Sequence, residues 1–331
     1  MKLVYYKRDV PNFGDDLNGV LWPALAPELF SDPKPQDDGF VGIGTIIGMD
    51  PGPTRRLHVF SSGIGNDPVD NWRDLDVTYW CVRGPISAQT LGLEPSRALS
   101  DGALLTPFVE GFPKTATGEG GVLVIPHFQS ITHGGWEKAC ALAGFELVDP
   151  RGSPREIVAR IASAKVVLTE SLHGAVFADL YGVPWHAFAP SRHFGVTKWV
   201  DWLAGLGRDL ELTLVPAPDP RLVFAYGRRN EPLGSRLRFT VDQAMEELDA
   251  RIAPDVKPSA PKAALKRLGA QVPGLTGALL GFTPERTAEA LTRLAVQGME
   301  PTPRALIERL QEQMMERFGA FREAASSARR P

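Results

Sequence analysis

Short apolar runs alternate with helix-like segments through roughly the first 225 residues. Residues 2–6 read as a strand. Residues 15–30 read as a helix opened by the turn and capping chemistry of 12–15. Further strands are expected at 40–47 and 57–60, each closed by glycine, and at 77–82. Residues 85–91 read as a helix with Pro85 in its first turn, where a missing N–H costs nothing. After the turn-rich stretch 111–121 a second series begins. It holds a strand at 122–125, a helix at 136–143 stopped by Gly144, a short strand at 146–148 and a helix at 154–163. A strand at 165–169, a helix at 171–181 closed by Gly182-Val183-Pro184 and a strand at 185–188 complete it. Continuously apolar strands separated by helices point to parallel sheets covered on both faces. The fold class expected is therefore α/β, with two Rossmann-like domains facing across a cleft, residues 1–115 and 116–232. Ligands in such folds sit at the carboxyl ends of the strands.

The pattern changes from residue 233 onward. Residues 235–252 read as one helix, 253–262 as a linker rich in Pro and Ala, and helices follow near 262–269, 284–297 and 303–325. Two of these open with Thr-Pro, at Thr283-Pro284 and Thr302-Pro303, a cap followed by proline at the first helical position. The final helix puts Leu306, Leu310, Met314, Phe318 and Phe321 on one stripe. A helical C-terminal extension, 233–331, packing on the body is expected. A docking face for a partner helix or a membrane surface is the competing reading.

Composition narrows the function classes. A chain of 331 residues is too long for one small core and fits two domains. The formal net charge of -3 gives nucleic-acid binding no electrostatic support. An anionic substrate would have to be met by a local cluster of Arg, Lys and His. Cys81 and Cys140 lie far apart and outside any CxxC pair, which argues against a disulfide framework or a zinc knuckle. The opening Met-Lys-Leu-Val-Tyr-Tyr-Lys is too short in apolar residues for a signal peptide, and no apolar run reaches the length of a membrane span. A cytoplasmic protein is expected, with peripheral membrane contact left open.

Several polar groups fall at predicted strand ends. In Thr169-Glu170-Ser171-Leu172-His173-Gly174 a strand runs into a helix, whose first turn offers unpaired N–H groups and a positive dipole end. His173 there suits proton donation or an anion grip, and a satisfied core histidine is the alternative. Asn12-Phe13-Gly14-Asp15-Asp16 follows the first strand; Asp15 and Asp16 are either acids of a first helical turn or a grip for sugar hydroxyls. A metal site has little support there, because no third carboxylate or His follows at a matching spacing. Arg83, at the end of a strand, suits a bidentate phosphate or carboxylate contact. Asp101 reads as a cap or an acid at another strand end. His127 follows the first strand of the second series, and Arg192, His193 and Lys198 form a local basic cluster, or a solvated loop. Gly42-Ile43-Gly44 and Gly63-Ile64-Gly65 complete no GxGxxG pattern, and Walker A, GxSxG, HExxH and the kinase set are missing.

Taken in order, these pieces resemble the polysaccharide pyruvyl transferase family. The matching segments are Asn12-Phe13-Gly14-Asp15-Asp16, Gly42-Ile43-Gly44, Val82-Arg83-Gly84-Pro85 with Ser87, Asp101-Gly102-Ala103-Leu104, and Ser171-Leu172-His173-Gly174 through Gly182-Val183-Pro184. The resemblance covers roughly residues 1–225. Many relatives carry Arg where this chain has Ser171, and Glu170-Ser171-Leu172-His173 is similar to the branch that pyruvylates exopolysaccharide precursors. The resemblance implies a GT-B-like pair of domains, phosphoenolpyruvate as donor, a sugar hydroxyl as acceptor and no organic cofactor or metal. It implies donor binding by Arg83 and Lys198, with Arg192 or His193 standing in for the lost arginine. It implies proton transfer by His173 and acceptor activation by Asp15 or Asp101. Asn12, Asp16, His127, Glu170 and Ser171 complete the expected substrate-binding set. An acceptor carried on a lipid would put the enzyme at the inner face of the membrane. Two other classes remain. One is a nucleotide-sugar glycosyltransferase, for which Asp201 and Trp202 would supply the base and ribose grip. The other is a non-catalytic glycan-binding relative.

Overall fold

The computed structural model describes residues 1–7, 9–31, 38–65, 67–252, 273–297 and 299–327. Its first sheet is all parallel and runs in chain order: β1 (Lys2–Val4), β2 (Gly39–Val41), β3 (Arg56–Phe60) and β4 (Asp76–Cys81). Between β1 and β2 stand α1 (Phe13–Asp16), α2 (Asn18–Leu25) and α3 (Pro27–Phe30); α4 (Pro85–Thr90) follows β4. The single helix expected at 15–30 is thus three pieces. Ala26 leaves helical geometry, with φ -145°, ahead of Pro27, and Pro23 weakens α2 from within. The strand expected at 40–47 stops at Val41, and the chain turns away through Gly44 at φ +134°, a conformation closed to most side chains.

The second series gives β5 (Val122–Ile125), α5 (Trp136–Ala143), β6 (Glu146–Leu147), α6 (Pro154–Ser163), β7 (Val166–Thr169), α7 (Leu172–Leu180) and β8 (Trp185–Ala189). Three elements beyond those expected follow: α8 (Val196–Gly205), β9 (Leu210–Leu214) and α9 (Pro220–Tyr226). The sheet order is β10-β9-β8-β7-β5-β6, parallel except for β10 (Arg236–Phe239), which runs antiparallel to β9. The helix expected over 235–252 therefore divides into a strand and α10 (Val241–Ile252). Arg236-Leu237-Arg238-Phe239 alternates exposed and half-buried positions, the period of an edge strand. The strand order reverses at β5, with β6 on one side and β7 on the other, which makes a topological switch point at their carboxyl ends.

Among the described residues the remaining α-helices are α11 (Pro273–Leu280), which packs on α9, and α12 (Pro284–Ala295) and α13 (Arg304–Ser327), which lie on the two sheets. Helix α12 packs on α5 and β7 of the second sheet, and its cap is Thr283, whose hydroxyl accepts from the Arg286 N–H. Helix α13 crosses back to the first sheet. Phe318 meets Trp22, Phe40 and Phe60 at ring distances of 5.3–6.4 Å, and Phe321 packs on Phe40 and Trp80. Of the expected stripe, Leu310, Met314, Phe318 and Phe321 are buried, while Leu306 is half-buried and Ile307 lies inside. Burying one such aromatic side chain is worth about 1.5–3 kcal/mol, so the body itself fills this face. The linker expected at 253–262 and the helix at 262–269 lie outside the described residues. Among the described residues no helix is long and apolar enough to cross a membrane.

Candidate active site

Between the carboxyl ends of the two sheets lies a cavity of about 620 Å³. The turn after β7 builds its centre. Thr169 Oγ1 accepts from the Ser171 N–H at 2.9 Å and donates to the Ser171 carbonyl, so the chain reverses within three residues and delivers Glu170, Ser171 and His173 to the cavity. Glu170 stands at the switch point between β5 and β7. Its Oε2 accepts from the His127 N–H at 2.9 Å, and its Oε1 accepts from Ser130 Oγ at 2.9 Å. Burial pushes the Glu170 carboxyl up to about 7, against these two hydrogen bonds and the attraction of Lys198.

His173 sits in the first turn of α7 at the seam between the halves. Its Nε2 lies 3.6 Å from Asp101 Oδ2, and its ring meets Phe13 edge to face at 6.2 Å. A Cβ at Gly14 would stand 1.9 Å from His173 Nδ1, so only glycine lets α1 approach the imidazole this closely. Asp101 is fully buried and caps the 3₁₀ stretch Gly102–Phe108 by accepting from the Ala103 N–H at 3.0 Å. Burial works to raise its carboxyl. His173, the Ala103 N–H and Arg83 outweigh that, and the group titrates below the usual carboxylate range. Asp101 is therefore behind His173 and outside the cavity lining, where the resemblance implied an acid that activates the acceptor hydroxyl.

Asp15 and Asn12 line the cavity, joined by a 2.8 Å hydrogen bond from Asn12 Nδ2. Burial raises the Asp15 carboxyl, and His173, that bond and Lys198 pull it back in part. Asp16 is not among the lining residues: its Oδ2 accepts from the Asn12 N–H and closes the turn. Asn18, the first residue of α2, is buried and staples α2 to the turn after β2 through Ile43 N–H, Ile43 C=O and Trp22 Nε1.

Arg83 lines the cavity but is only 1% exposed. Its Nε donates to Asp201 Oδ2 at 3.2 Å, its Nη2 lies 3.1 Å from the same oxygen in an ion pair and donates to the Ile64 carbonyl, and Nη1 donates to Thr45 Oγ1 at 2.8 Å. Asp201, on α8, also accepts from Ser87 N–H and Ser87 Oγ. A Cβ at Gly84 would stand 1.8 Å from the Asp201 carbonyl oxygen, which is the close approach this pairing needs. Arg83 is thus committed to an internal ion pair, not poised as an open anion grip. Asp201 and Trp202, at 0% and 1% exposure, are interior, so neither can hold a ribose or base. Arg192 is exposed and away from the cavity. His127, His193 and Lys198 line it, and Lys198 projects from α8 where a loop was the competing expectation.

Tyr6, Thr45, Met49, Asp50 and Asp67 line the cavity as well, unforeseen in the sequence because they sit in loops with no periodicity or spacing to mark them. The two walls differ in composition: the first half supplies Asp15, Asp50 and Asp67 together with Arg83, and the second supplies His127, His193 and Lys198 together with Glu170.

The polysaccharide pyruvyl transferase family model matches residues 52–192. The chain is 33% identical over 213 residues to the succinoglycan biosynthesis protein ExoV of Rhizobium meliloti (strain 1021), an alignment covering 62% of this chain and 65% of that protein. The chain thus spans just under two thirds of the length of that relative.

Proposed function

We propose that this chain, which belongs to the polysaccharide pyruvyl transferase family, moves a pyruvyl group from phosphoenolpyruvate to two hydroxyls of a sugar, forming a ketal and releasing phosphate. The acceptor is read as an exopolysaccharide precursor from the relative's part in succinoglycan biosynthesis. A lipid-linked form of it would bring this GT-B-like enzyme to the cytoplasmic face of a membrane.

One observation carries the reading: one cavity is lined by three carboxylates of the first half, Asp15, Asp50 and Asp67, and by three basic side chains of the second, His127, His193 and Lys198. Phosphoenolpyruvate brings a phosphate and a carboxylate. Lys198, His193, His127 and the first turn of α7 are the groups on the second wall that attract both. A sugar brings hydroxyl donors, which the carboxylates of Asp15, Asp50 and Asp67 accept. His173 stands at the seam and takes the proton of the attacking hydroxyl, and Asp101 behind it favours the imidazolium that forms. A proton reaches the methylene carbon of the donor, whose π electrons form the new C–H bond, and the hydroxyl oxygen adds to the central carbon made electrophilic by it. Phosphate leaves with the electrons of its C–O bond, and a second hydroxyl closes the ketal. No cofactor enters this scheme.

The test is calorimetric binding of phosphoenolpyruvate, with UDP- and GDP-sugars as controls, on wild type and Lys198→Ala. Saturable binding of phosphoenolpyruvate alone, weakened in the variant, supports the reading. Binding of a nucleotide sugar instead moves the protein to the glycosyltransferases.

A further inference from the structure

We propose that Glu170 is the acid that protonates the methylene carbon of phosphoenolpyruvate, while His173 serves the sugar hydroxyls; this rests on the donor reading above. Ketal formation needs proton traffic at two places. One proton must reach the methylene carbon, which becomes a methyl group, so that the neighbouring carbon turns electrophilic. Another must leave each attacking hydroxyl. A single imidazole would have to serve both ends of the reacting system.

The cavity offers two proton-transfer groups in different surroundings. His173 faces Asp101 and lies against α1, beside the acidic wall where the hydroxyls are read to sit. Glu170 belongs to the other wall. It is 2% exposed and lines the cavity at the switch point. The His127 N–H and Ser130 Oγ each bind one of its oxygens, which fixes the plane of the carboxyl and leaves each oxygen a further lone pair. The charged and titratable groups facing it are Lys198 from α8 and His127 from the turn after β5. Its carboxyl titrates at about 7, so much of it is already protonated at neutral pH, and an anionic donor bound alongside favours that form further.

The balance closes. Glu170 gives its proton to the methylene carbon, whose π electrons form the new C–H bond. The first hydroxyl oxygen bonds to the central carbon as its proton passes to His173. The C–O bond to phosphate breaks with its electrons on the phosphate, which takes the proton from His173 and departs. The second hydroxyl then forms the second C–O bond as its proton passes to His173, which releases it to solvent, and Glu170 regains a proton from solvent. Two hydroxyl protons are spent, one leaving on phosphate and one released from His173, which balances the proton that Glu170 takes up.

The assignment is tested with Glu170→Gln and Ser130→Ala, reading phosphoenolpyruvate binding and the pH profile of kcat/KM. Glu170→Gln keeps shape and folding but has no acid; turnover should fall about 10²–10⁴-fold while phosphoenolpyruvate still binds. Ser130→Ala removes a hydrogen bond that favours the carboxylate, so the acid stays protonated to higher pH. The basic limb of the profile should move upward, a shift that a scaffold role for Glu170 would not produce. Near-normal turnover in Glu170→Gln, or a basic limb unmoved in Ser130→Ala, overturns the assignment alone. Failure of wild type to bind phosphoenolpyruvate overturns the donor reading and the assignment with it.

Discussion

The two sheets use the same local device, a strand whose carboxyl end turns into a helix, yet the turns do different work. In the first sheet the strand order follows the chain, β1 to β4, and no crevice opens within it. Its turns are closed by packing: Asn18 holds Ile43, and Arg83 is held by Asp201. In the second sheet the order reverses at β5, so the connections after β5 and β7 leave on opposite sides and part around a gap. Glu170 and His127 meet there across a 2.9 Å hydrogen bond. The difference teaches that a polar residue at a strand end becomes scaffold or site according to topology. On the function proposed above, the second half supplies the reacting groups, and the first supplies Asp15, Asp50 and Asp67 and the supports.

The largest effect expected from that division is on turnover. His173→Gln should lower kcat about 10²–10⁴-fold with the melting temperature little changed. Steady-state assay beside thermal denaturation checks it, and near-normal turnover would take the chemistry away from the α7 turn. The two cationic positions should then fail in opposite ways. Arg83→Ala strands Asp201 as a buried unpaired charge, at a cost of about 3–5 kcal/mol in denaturant unfolding. Lys198→Ala should cost less stability than Arg83→Ala and weaken phosphoenolpyruvate binding about 10–100-fold, the loss of one charged hydrogen bond. If Lys198→Ala unfolds the chain while Arg83→Ala only loses donor affinity, the roles of the halves are exchanged. Gly14→Ala is subtler. Alanine suits a helix by up to about 1 kcal/mol, but its Cβ would overlap the imidazole of His173. Stability should fall by about 1–3 kcal/mol from the overpacking, and kcat should drop as well, by up to about 10²-fold if the ring moves by an ångström; unchanged kcat would show that the ring position does not matter.

How far these roles could be read from sequence follows from the range of the interactions. The β5 to β8 series was legible because each apolar run is short, continuous and bounded by Gly, Pro or a cap, and the helix expected at 154–163 matches α6. The β10 strand was not, because Arg236-Leu237-Arg238-Phe239 adjoins a good amphipathic helix and takes its pairing from β9, some twenty-five residues earlier. The α7 turn was legible because its polar residues adjoin one another. The fate of Arg83 was not: its partner is 118 residues away on a helix that the sequence reading left unassigned. Asp101 shows the intermediate case. The cap on Ala103 is local and readable, while the pairing with His173 joins the two halves.

The smallest effect expected is a gain in stability, and it sharpens the reading of the acidic wall. Burial raises the Asp15 carboxyl above its ordinary value, with His173, Asn12 and Lys198 offsetting only part. In the unfolded chain the group ionises at the ordinary value, whereas the folded chain holds its proton to higher pH. Between those two values the folded state binds more protons, so stability falls as pH rises, and the cost persists above the window. Asn at this position never ionises. Asp15→Asn should therefore be more stable than wild type at neutral pH, with the difference closing as pH falls toward about 4, while turnover declines because the acceptor loses a carboxylate partner. Thermal melts of both proteins across that range decide it. A variant less stable than wild type at neutral pH would mean that the cationic wall holds Asp15 as an ion-pair partner, and that the two walls support each other instead of being kept apart for two substrates.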